Sequence, residues 1–257
     1  MSARHGDKDR IMDESASFTG HKFKPLDQYF WESLESSSFY FPEPARLNDP
    51  ADCQIDLEKA FRLARANQST NYAAQAEELF VRYAGEVEER AKTCGVFSIC
   101  CGSIDGDDER LIWAHYAANH TGVCLTFTIP YAFVIKSLVG TAPVDYSSDS
   151  LFDALKRLDL SKRPDFEADL KPVITAYLTT KAPEWKYERE SRLISFNPGL
   201  HIFDRAWLKQ ICFGLRTSNA DRERIKELAK DYPDCNLVEA VRSDNDLFRI
   251  TLREVPL

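Results

Sequence analysis

Residues 111–129, which read LIWAHYAANHTGVCLTFTI, decide the fold class because a helix pattern is followed directly by a strand pattern. The pattern of the first part, together with the two residues before it, predicts a helix over residues 109–119. Gly122 is expected to end this helix, since glycine adopts left-handed backbone conformations freely. Residues 123–129 alternate large apolar residues with Cys and Thr and predict a strand. A helix and a strand in direct succession indicate a domain that mixes both.

The flanking sequence predicts further helices and strands in an irregular order. The predicted helices cover residues 26–36, 54–92 (two helices broken near 67–71), 131–138, 150–181 (two helices parted near Pro164) and 219–230. The predicted strands cover residues 39–41, 95–101, 141–146, 191–196, 207–215, 236–242 and 247–255. Without a steady alternation of strand and helix, this order favours the α+β class, with a central mixed or antiparallel sheet. We expect a flexible tail over residues 1–20 and a single domain over 21–257, with helical insertions near 54–94 and 150–180.

Composition excludes several broad classes of protein. The 257 residues are 44% hydrophobic and 29% charged, as in globular proteins, and their net charge of −8 disfavours bulk binding to nucleic acid. Because no apolar run approaches 18 residues, we expect no membrane span. The seven cysteines are odd in number and scattered, and residues 1–20 hold no apolar leader, so we expect reduced thiols and a cytoplasmic location. The cysteine spacing also predicts no metal site.

Two polar constellations are candidates for ligand contact. The turn sequence at residues 46–52, RLNDPAD, could present Arg46, Asn48 and Asp49 to a pocket, although a turn alone explains its Asn, Asp and Pro. In the predicted helix, His115 and Tyr116 offer an imidazole and a phenol that can hydrogen-bond a ligand. Trp113 is either a ligand contact or a core residue.

The third constellation is residues 181–192, KAPEWKYERESR. If residues 188–192 are extended, Glu188, Glu190 and Arg192 share one face of a strand. Two carboxylates and a guanidinium on one face indicate the border of a cleft, where the pKa of one carboxyl is raised and the other pairs with Arg192. The alternative is a solvated strand edge with surface ion pairs. Lys181 and Trp185 belong to the same segment.

Taken in order, these segments resemble a bacterial family known as domain of unknown function 2971. The resemblance rests on residues 23–26, Asn48-Asp49-Pro50, residues 113–117 with 122–127, Ile211-Cys212-Phe213-Gly214, and the set Lys181, Trp185, Glu188, Glu190 and Arg192. Ala51 departs from the pattern, which often has an aromatic residue after the turn. The family name implies no activity.

A fold-level resemblance to ADP-ribosyltransferases goes further, since an early aromatic strand is followed by a helix–strand unit and a late E-x-E strand. The resemblance implies that Glu190 is the catalytic carboxylate that acts on NAD and that Glu188 is its partner. It further implies that aromatic and His side chains grip the nicotinamide. It leaves the early Arg or His of those enzymes unassigned here, and His21 and Lys24 are no more than candidates for it.

Three functions are open on these grounds. The first is a bacterial enzyme that handles a nucleotide, most concretely by NAD-dependent ADP-ribosyl transfer or NAD glycohydrolysis in a toxin or phage-defence setting, with a protein or nucleic acid as the acceptor. Its catalytic residues would be Glu190, Glu188, His115 and Tyr116, and its substrate contacts Asn48, Asp49, Arg46, Trp113, Lys181, Trp185 and Arg192. The second is a non-catalytic module that binds a nucleotide or the end of a nucleic acid. The third is a structural interaction protein in which the charged cluster knits the core together. The sequence does not predict an oligomeric state.

Overall fold

A computed structural model describes residues 16–49, 51–66, 70–104, 109–138, 140–159, 164–247 and 249–256. The strands are β1 (Ser17–Lys24), β2 (Ser38–Phe41), β3 (Gly95–Cys100), β4 (Val123–Pro130), β5 (Gly140–Pro143), β6 (Glu190–Ser195), β7 (Gly199–Ile202), β8 (Leu208–Phe213), β9 (Asn236–Arg242) and β10 (Ile250–Glu254). The α-helices are α1 (Gln28–Ser36), α2 (Leu57–Ala64), α3 (Thr70–Lys92), α4 (Glu109–Tyr116), α5 (Tyr131–Ser137), α6 (Asp149–Arg157), α7 (Lys171–Thr179) and α8 (Asn219–Ala229).

Eight of these strands form one mixed sheet in the order β10-β9-β8-β4-β1-β3-β6-β5. Neighbours in this sheet are antiparallel except for β8 and β9, which run parallel. The strands β2 and β7 form a separate antiparallel pair. The predicted α+β class with a mixed central sheet is confirmed.

Apolar side chains fill both faces of the sheet. On one face, α2, α3, α6 and α7 pack together with Val96 and Ile194. On the other face, α1, α8 and the aromatic residues of β2 pack against Phe97, Phe127 and Leu193. Alternate residues of a strand face opposite sides of a sheet, so the residues of β3 and β6 that share a face with Val96 and Ile194 include Ser98, Cys100, Glu190 and Arg192.

Strand β1 is central to the sheet, and no strand was predicted there. It pairs with β4 over its whole length, from Ser17 opposite Pro130 to Lys24 opposite Val123. The two large apolar residues of β1, Phe18 and Phe23, are five positions apart. They do not follow the two-residue period of a strand, so the sequence shows no alternation. The predicted tail is therefore wrong for residues 17–20, and residues 1–15 lie outside the described residues.

Strand β1 meets its other neighbour at a single position. The only register pair between β1 and β3 is His21 opposite Cys100. At Gly20 an added methyl group would lie 2.4 Å from the end of the Ile99 side chain, so the two strands are in close contact here. The two strands separate beyond this contact, and the candidate site lies beside that separation.

Helix α4 ends at Tyr116, three residues earlier than predicted, and Gly122 does not cap it. Ala118, Asn119 and His120 take the left-handed backbone conformation that was expected of the glycine. Glycine is needed at position 122 for a different reason, because an added methyl group would lie 2.1 Å from the carbonyl oxygen of Lys24. This contact fixes the end of α4 against the end of β1.

Candidate functional site

A cavity of about 140 Å³ lies between β1, β3, α4, the segment after β2 and the residues around β6. We call it the polar cavity. It is lined by His21, Lys22, Phe23, Pro42, Arg46, Leu47, Asn48, Asp52, Val96, Ser98, Ile99, Cys100, Ile112, Tyr116, Lys181, Glu188 and Glu190. All three sequence-predicted constellations therefore contribute to this cavity, since residues from the turn, from α4 and from the 181–192 segment line it.

Arg192 anchors the floor of this site and is fully buried on β6. Its Nη1 and Nη2 donate to the two carboxylate oxygens of Asp52 at 3.0 and 2.5 Å. Its Nε donates to Glu190 Oε1 at 2.8 Å, and Nη1 also donates to the Leu178 carbonyl at 2.6 Å. A guanidinium that carries this many bonds to two carboxylates can stay charged without water.

Lys181 bridges the two glutamates and is buried as they are. Its Nζ donates to Glu188 Oε2 at 2.6 Å and to Glu190 Oε2 at 3.1 Å. Asp52 Oδ2 lies 3.7 Å from the same nitrogen. Three carboxylates therefore surround two buried cations, and the cluster is balanced only when a further positive charge is close or one carboxyl is protonated.

The backbone brings the two glutamates together in a way that differs from the prediction. The shared face was predicted on the condition that residues 188–192 are extended, but a 3-10 helix runs over Pro183–Glu188 and β6 starts only at Glu190. Arg189 takes a left-handed conformation between them, with φ of 46°. This sharp turn replaces the alternation of a strand. It still directs Glu188 and Glu190 to the same ammonium group, so the predicted cluster forms by a different local geometry.

Glu188 ends a chain of hydrogen bonds that reaches the protein surface. The hydroxyl of Tyr116 donates to Glu188 Oε1. Asn48 Nδ2 in turn donates to the Tyr116 hydroxyl at 3.0 Å. Because Asn48 is exposed and Glu188 is buried, this chain links the interior of the polar cavity to solvent.

The two glutamates have pKa values that are shifted in opposite directions. Burial raises the pKa of Glu188, and this effect outweighs the attraction of Lys181. Burial acts in the same direction on Glu190, but the Arg192 guanidinium and its hydrogen bonds overcome it and lower the pKa of Glu190 to about 2. Glu190 is thus a fixed anion, whereas Glu188 is the carboxyl that can exchange a proton.

Lys22 is the functional candidate that sequence reasoning missed most clearly. Its Nζ lies 4.8 Å from the centre of the Phe97 ring and donates to the Ser98 carbonyl at 2.7 Å. Burial and the neighbouring Lys24 lower the pKa of Lys22 to about 8. Asp52 was also missed as a charge partner, although it stands in the turn sequence that was singled out. No signal in the sequence connects Asp52 to Arg192, which is far along the chain.

Several predicted contacts lie away from the polar cavity. Trp113 is fully buried in the core, where its ring packs edge-on against Phe23 at 5.0 Å, so its prediction as a ligand contact is corrected. His115 is exposed beside Trp185, with ring centres 6.5 Å apart, and neither residue lines the cavity. Asp49 instead stabilises its own turn by accepting from the Ala51 amide at 2.9 Å.

Arg46 and Asn48 line the polar cavity. Both side chains belong to exposed residues, so they lie at its mouth rather than its floor. Pro50 of the same turn lies outside the described residues. Within the described ranges, no group of three or more His, Cys, Asp or Glu side chains is arranged to hold a metal ion.

The described helices include none with the length and apolar character needed to span a membrane.

The seven cysteines are all free thiols. Burial raises the pKa of Cys100, which lines the polar cavity, to about 12, although the nearby Lys22 ammonium opposes that rise. The thiol therefore stays protonated near neutral pH and contributes little as a nucleophile.

Comparison with known proteins gives one match. No curated protein and no solved structure matches the chain, and nothing in these comparisons supports the resemblance to ADP-ribosyltransferases. One family profile matches residues 112–193, a region that contains most of α4 and the whole 181–192 segment. The turn at Asn48 and the strand at Ile211 lie outside the matched region. Over residues 112–193, the chain is similar to the family described as a protein of unknown function (DUF2971).

Proposed function

We propose that the polar cavity binds a nucleotide and cleaves its glycosidic bond, so that the glycosyl group passes to water or to an acceptor. NAD is the most concrete candidate. The observation that carries this proposal is the pair Glu188 and Glu190, whose pKa values are shifted apart at one cavity. Paired carboxylates with separated pKa values recur where enzymes break bonds at a sugar carbon, because one stays ionised and the other moves a proton.

The chemistry assigns a different task to each glutamate. As the bond from the sugar C1 to nicotinamide breaks, the nicotinamide nitrogen keeps the electron pair and leaves as a neutral molecule. Positive charge then develops on the sugar, and the fixed anion Glu190 stabilises it electrostatically. Glu188, with its raised pKa, accepts the proton of the attacking water or acceptor hydroxyl, and an oxygen–carbon bond forms at C1.

Tyr116 and Lys181 hold the Glu188 carboxylate in place for this role. The Tyr116 hydroxyl donates to Glu188 Oε1, which holds the carboxylate in one orientation. Glu188 Oε2 is held by Lys181 at 2.6 Å. Because both oxygens of the carboxylate are held in place, Glu188 loses little conformational entropy when it accepts a proton.

The volume of the cavity fits one ring of a ligand. An apolar cavity of about 150 Å³ is known to hold benzene, so the 140 Å³ here accommodates a ribose or a nicotinamide ring but not a whole dinucleotide. The rest of the ligand would extend past Arg46 at the mouth. The setting in a toxin or phage-defence system, and the identity of any protein or nucleic-acid acceptor, remain predictions of the sequence.

The test is the release of nicotinamide from NAD by the purified protein, measured by chromatography. We expect the wild-type protein to release nicotinamide and Glu188→Gln to slow this by about a hundredfold or more, because general-base catalysis is lost. Glu184→Gln is the matched control, since Glu184 is exposed on the same 3-10 helix and does not line the cavity. Absence of nicotinamide release by the wild type, or equal rates in both variants, contradicts the proposal.

A second candidate is a module that binds the nucleotide without turnover. It is favoured by the engagement of Glu190, whose two carboxylate oxygens already accept from Arg192 and Lys181. Under this alternative, NAD raises the melting temperature of the protein while no nicotinamide appears. The same two measurements therefore separate the two candidates.

A further inference from the structure

A second and larger cavity adjoins the polar cavity. It has a volume of about 560 Å³ and lies between α1, β2 and the central sheet. We call it the apolar cavity, because its deep walls are aromatic and aliphatic: Phe39, Phe97, Leu125, Phe127 and Phe203. Its size falls in the range of cavities that hold whole small molecules. The function proposed above does not use it.

The two cavities meet at three residues. Lys22, Pro42 and Arg46 line both. Strand β3 separates the cavities elsewhere, since it turns Phe97 toward the apolar cavity and Ser98 toward the polar cavity. The meeting point lies beside the separation between β1 and β3, where Lys22 Nζ bonds to the Ser98 carbonyl at 2.7 Å.

The meeting point is positively charged. An ammonium group carries three donors, and one bond to Ser98 leaves Lys22 with capacity for a ligand. Arg46 is held toward the junction by the Tyr40 hydroxyl, to which its Nη1 donates at 3.0 Å. Glu188 and Glu190, the two glutamates of the polar cavity, are already bonded to Lys181. Two cations at a junction between a polar and an aromatic cavity indicate an anionic group at that position.

The far side of the apolar cavity carries acceptors. Asp27 and Glu32 line it, together with the hydroxyls of Ser33 and Ser36. A planar ring with polar edge groups can pack against Phe39 and Phe97 and still donate to these oxygens. Because Asp27 already accepts from the Phe30 amide and Glu32 from Gln28, the choice of an aromatic ligand rests on the phenylalanine walls and not on these oxygens.

From these contacts we infer that the apolar cavity binds a planar aromatic group whose attached phosphate rests between Lys22 and Arg46. This inference deepens the proposed function, because it rests on a nucleotide with its sugar at Glu190, and it names the part of the ligand that the polar cavity is too small to hold. The ligand is then a two-part molecule that spans both cavities.

Binding by calorimetry tests the inference without any turnover. The probes are adenosine 5′-monophosphate, adenosine, inorganic phosphate and hexyl phosphate, each with the full-length protein. We expect the monophosphate to bind at least about tenfold more tightly than adenosine or inorganic phosphate, because charged hydrogen bonds and ring packing then act together. Equal affinity for adenosine and its monophosphate overturns the junction as an anion site. Tighter binding of hexyl phosphate overturns the aromatic class of ligand.

Two variants on β7 locate the ring. Leu200 lines the apolar cavity, whereas Ile202, with a similar exposed fraction of 69% against 66%, does not. We expect Leu200→Asp to weaken binding of the monophosphate by about tenfold, through repulsion and lost apolar contact, and Ile202→Asp to leave it unchanged. Equal effects of the two variants contradict the assignment of the ring to this cavity.

The outcomes distinguish this inference from the proposed function. Binding of the monophosphate that is weakened by Leu200→Asp, in a protein that releases no nicotinamide from NAD, supports the inference and contradicts the proposed reaction. Nicotinamide release that Leu200→Asp does not alter in KM contradicts the inference and leaves the proposed reaction standing.

Discussion

Replacement of Asp52 by Asn tests whether the buried charges hold the site in place. The side chains of Asp52 and Arg192 are both about 1% exposed, and the carboxylate accepts two bonds from the guanidinium, at 3.0 and 2.5 Å. An Asn amide can accept one of these bonds but turns its own N–H groups toward the other donor. The substitution thus removes a charge and places two donors face to face.

The size of the effect follows from what remains around Arg192. Removing one partner of a buried ion pair costs about 3–5 kcal/mol. Glu190 still accepts from Arg192 Nε at 2.8 Å, and the Leu178 carbonyl still accepts from Nη1, so we expect the lower end, a loss of about 3 kcal/mol in the free energy of unfolding.

Urea unfolding at pH 7, with the midpoint and slope fitted for each protein, is the assay. The matched control is Asp49→Asn, three residues earlier, because the Asp49 side chain only caps its own turn and Asn can replace it there. We expect the control to change the free energy of unfolding by less than about 0.5 kcal/mol. A loss below about 1 kcal/mol for Asp52→Asn, with an unchanged slope, refutes the reasoning.

Three further predictions concern single groups of the site. Because the pKa of Glu190 is about 2 in the folded protein against an ordinary 4.5, its contribution of about 3 kcal/mol is present above pH 4.5 and is lost as pH falls toward 2; unfolding midpoints of the wild type should fall over this range more than those of Glu190→Gln, and parallel curves contradict this. Burial opposes ionisation of Glu188, so Glu188→Gln should match or exceed the wild-type free energy of unfolding at pH 7 to within about 1 kcal/mol; a loss above about 2 kcal/mol in urea would assign Glu188 to the scaffold. The pKa of Lys22 is about 8, so it loses its charge as pH rises through that value, and adenosine 5′-monophosphate should bind less tightly at pH 9 than at pH 7 in calorimetry; a pH-independent affinity argues against a Lys22 contact.

The sequence predicts strands best where apolar residues alternate without interruption. Residues 123–129 do so, and β4 covers Val123–Pro130. Strand β1 does not, because Lys22 and Lys24 occupy positions that a central strand normally fills with apolar residues. Lys22 lines the polar cavity, and its charge interrupts the apolar alternation that would predict a strand there.

The candidate site was predictable where its residues are close in sequence. Lys181, Glu188, Glu190 and Arg192 lie within one segment, and their mixture of charges predicts the border of a cleft, with a solvated strand edge as the alternative. Their partner Asp52 is 140 positions from Arg192, and only the folded chain joins them. A pairing over this distance has no local periodicity, so no reading of spacing could find it.

The local geometry of the glutamates was not predictable either. An E-x-E-x-R pattern indicates a strand, yet Glu188 is the last residue of a 3-10 helix. Arg189, which lies between the two glutamates, takes the left-handed conformation. Arginine rarely adopts this conformation, since its Cβ makes the left-handed region unfavourable. In the fold, Arg189 directly precedes β6, whose first residue Glu190 pairs with Cys100.

The central claim is the division of roles between Glu188 and Glu190, and the most direct test is a titration of the glutamate side-chain carboxyl carbons by nuclear magnetic resonance. The signal of each group is assigned by its loss in Glu188→Gln and in Glu190→Gln. We predict that Glu188 titrates above the ordinary value of 4.5 and that Glu190 stays ionised down to about pH 2. Two carboxyls that both titrate near 4.5, or a Glu190 that titrates above Glu188, would contradict the account.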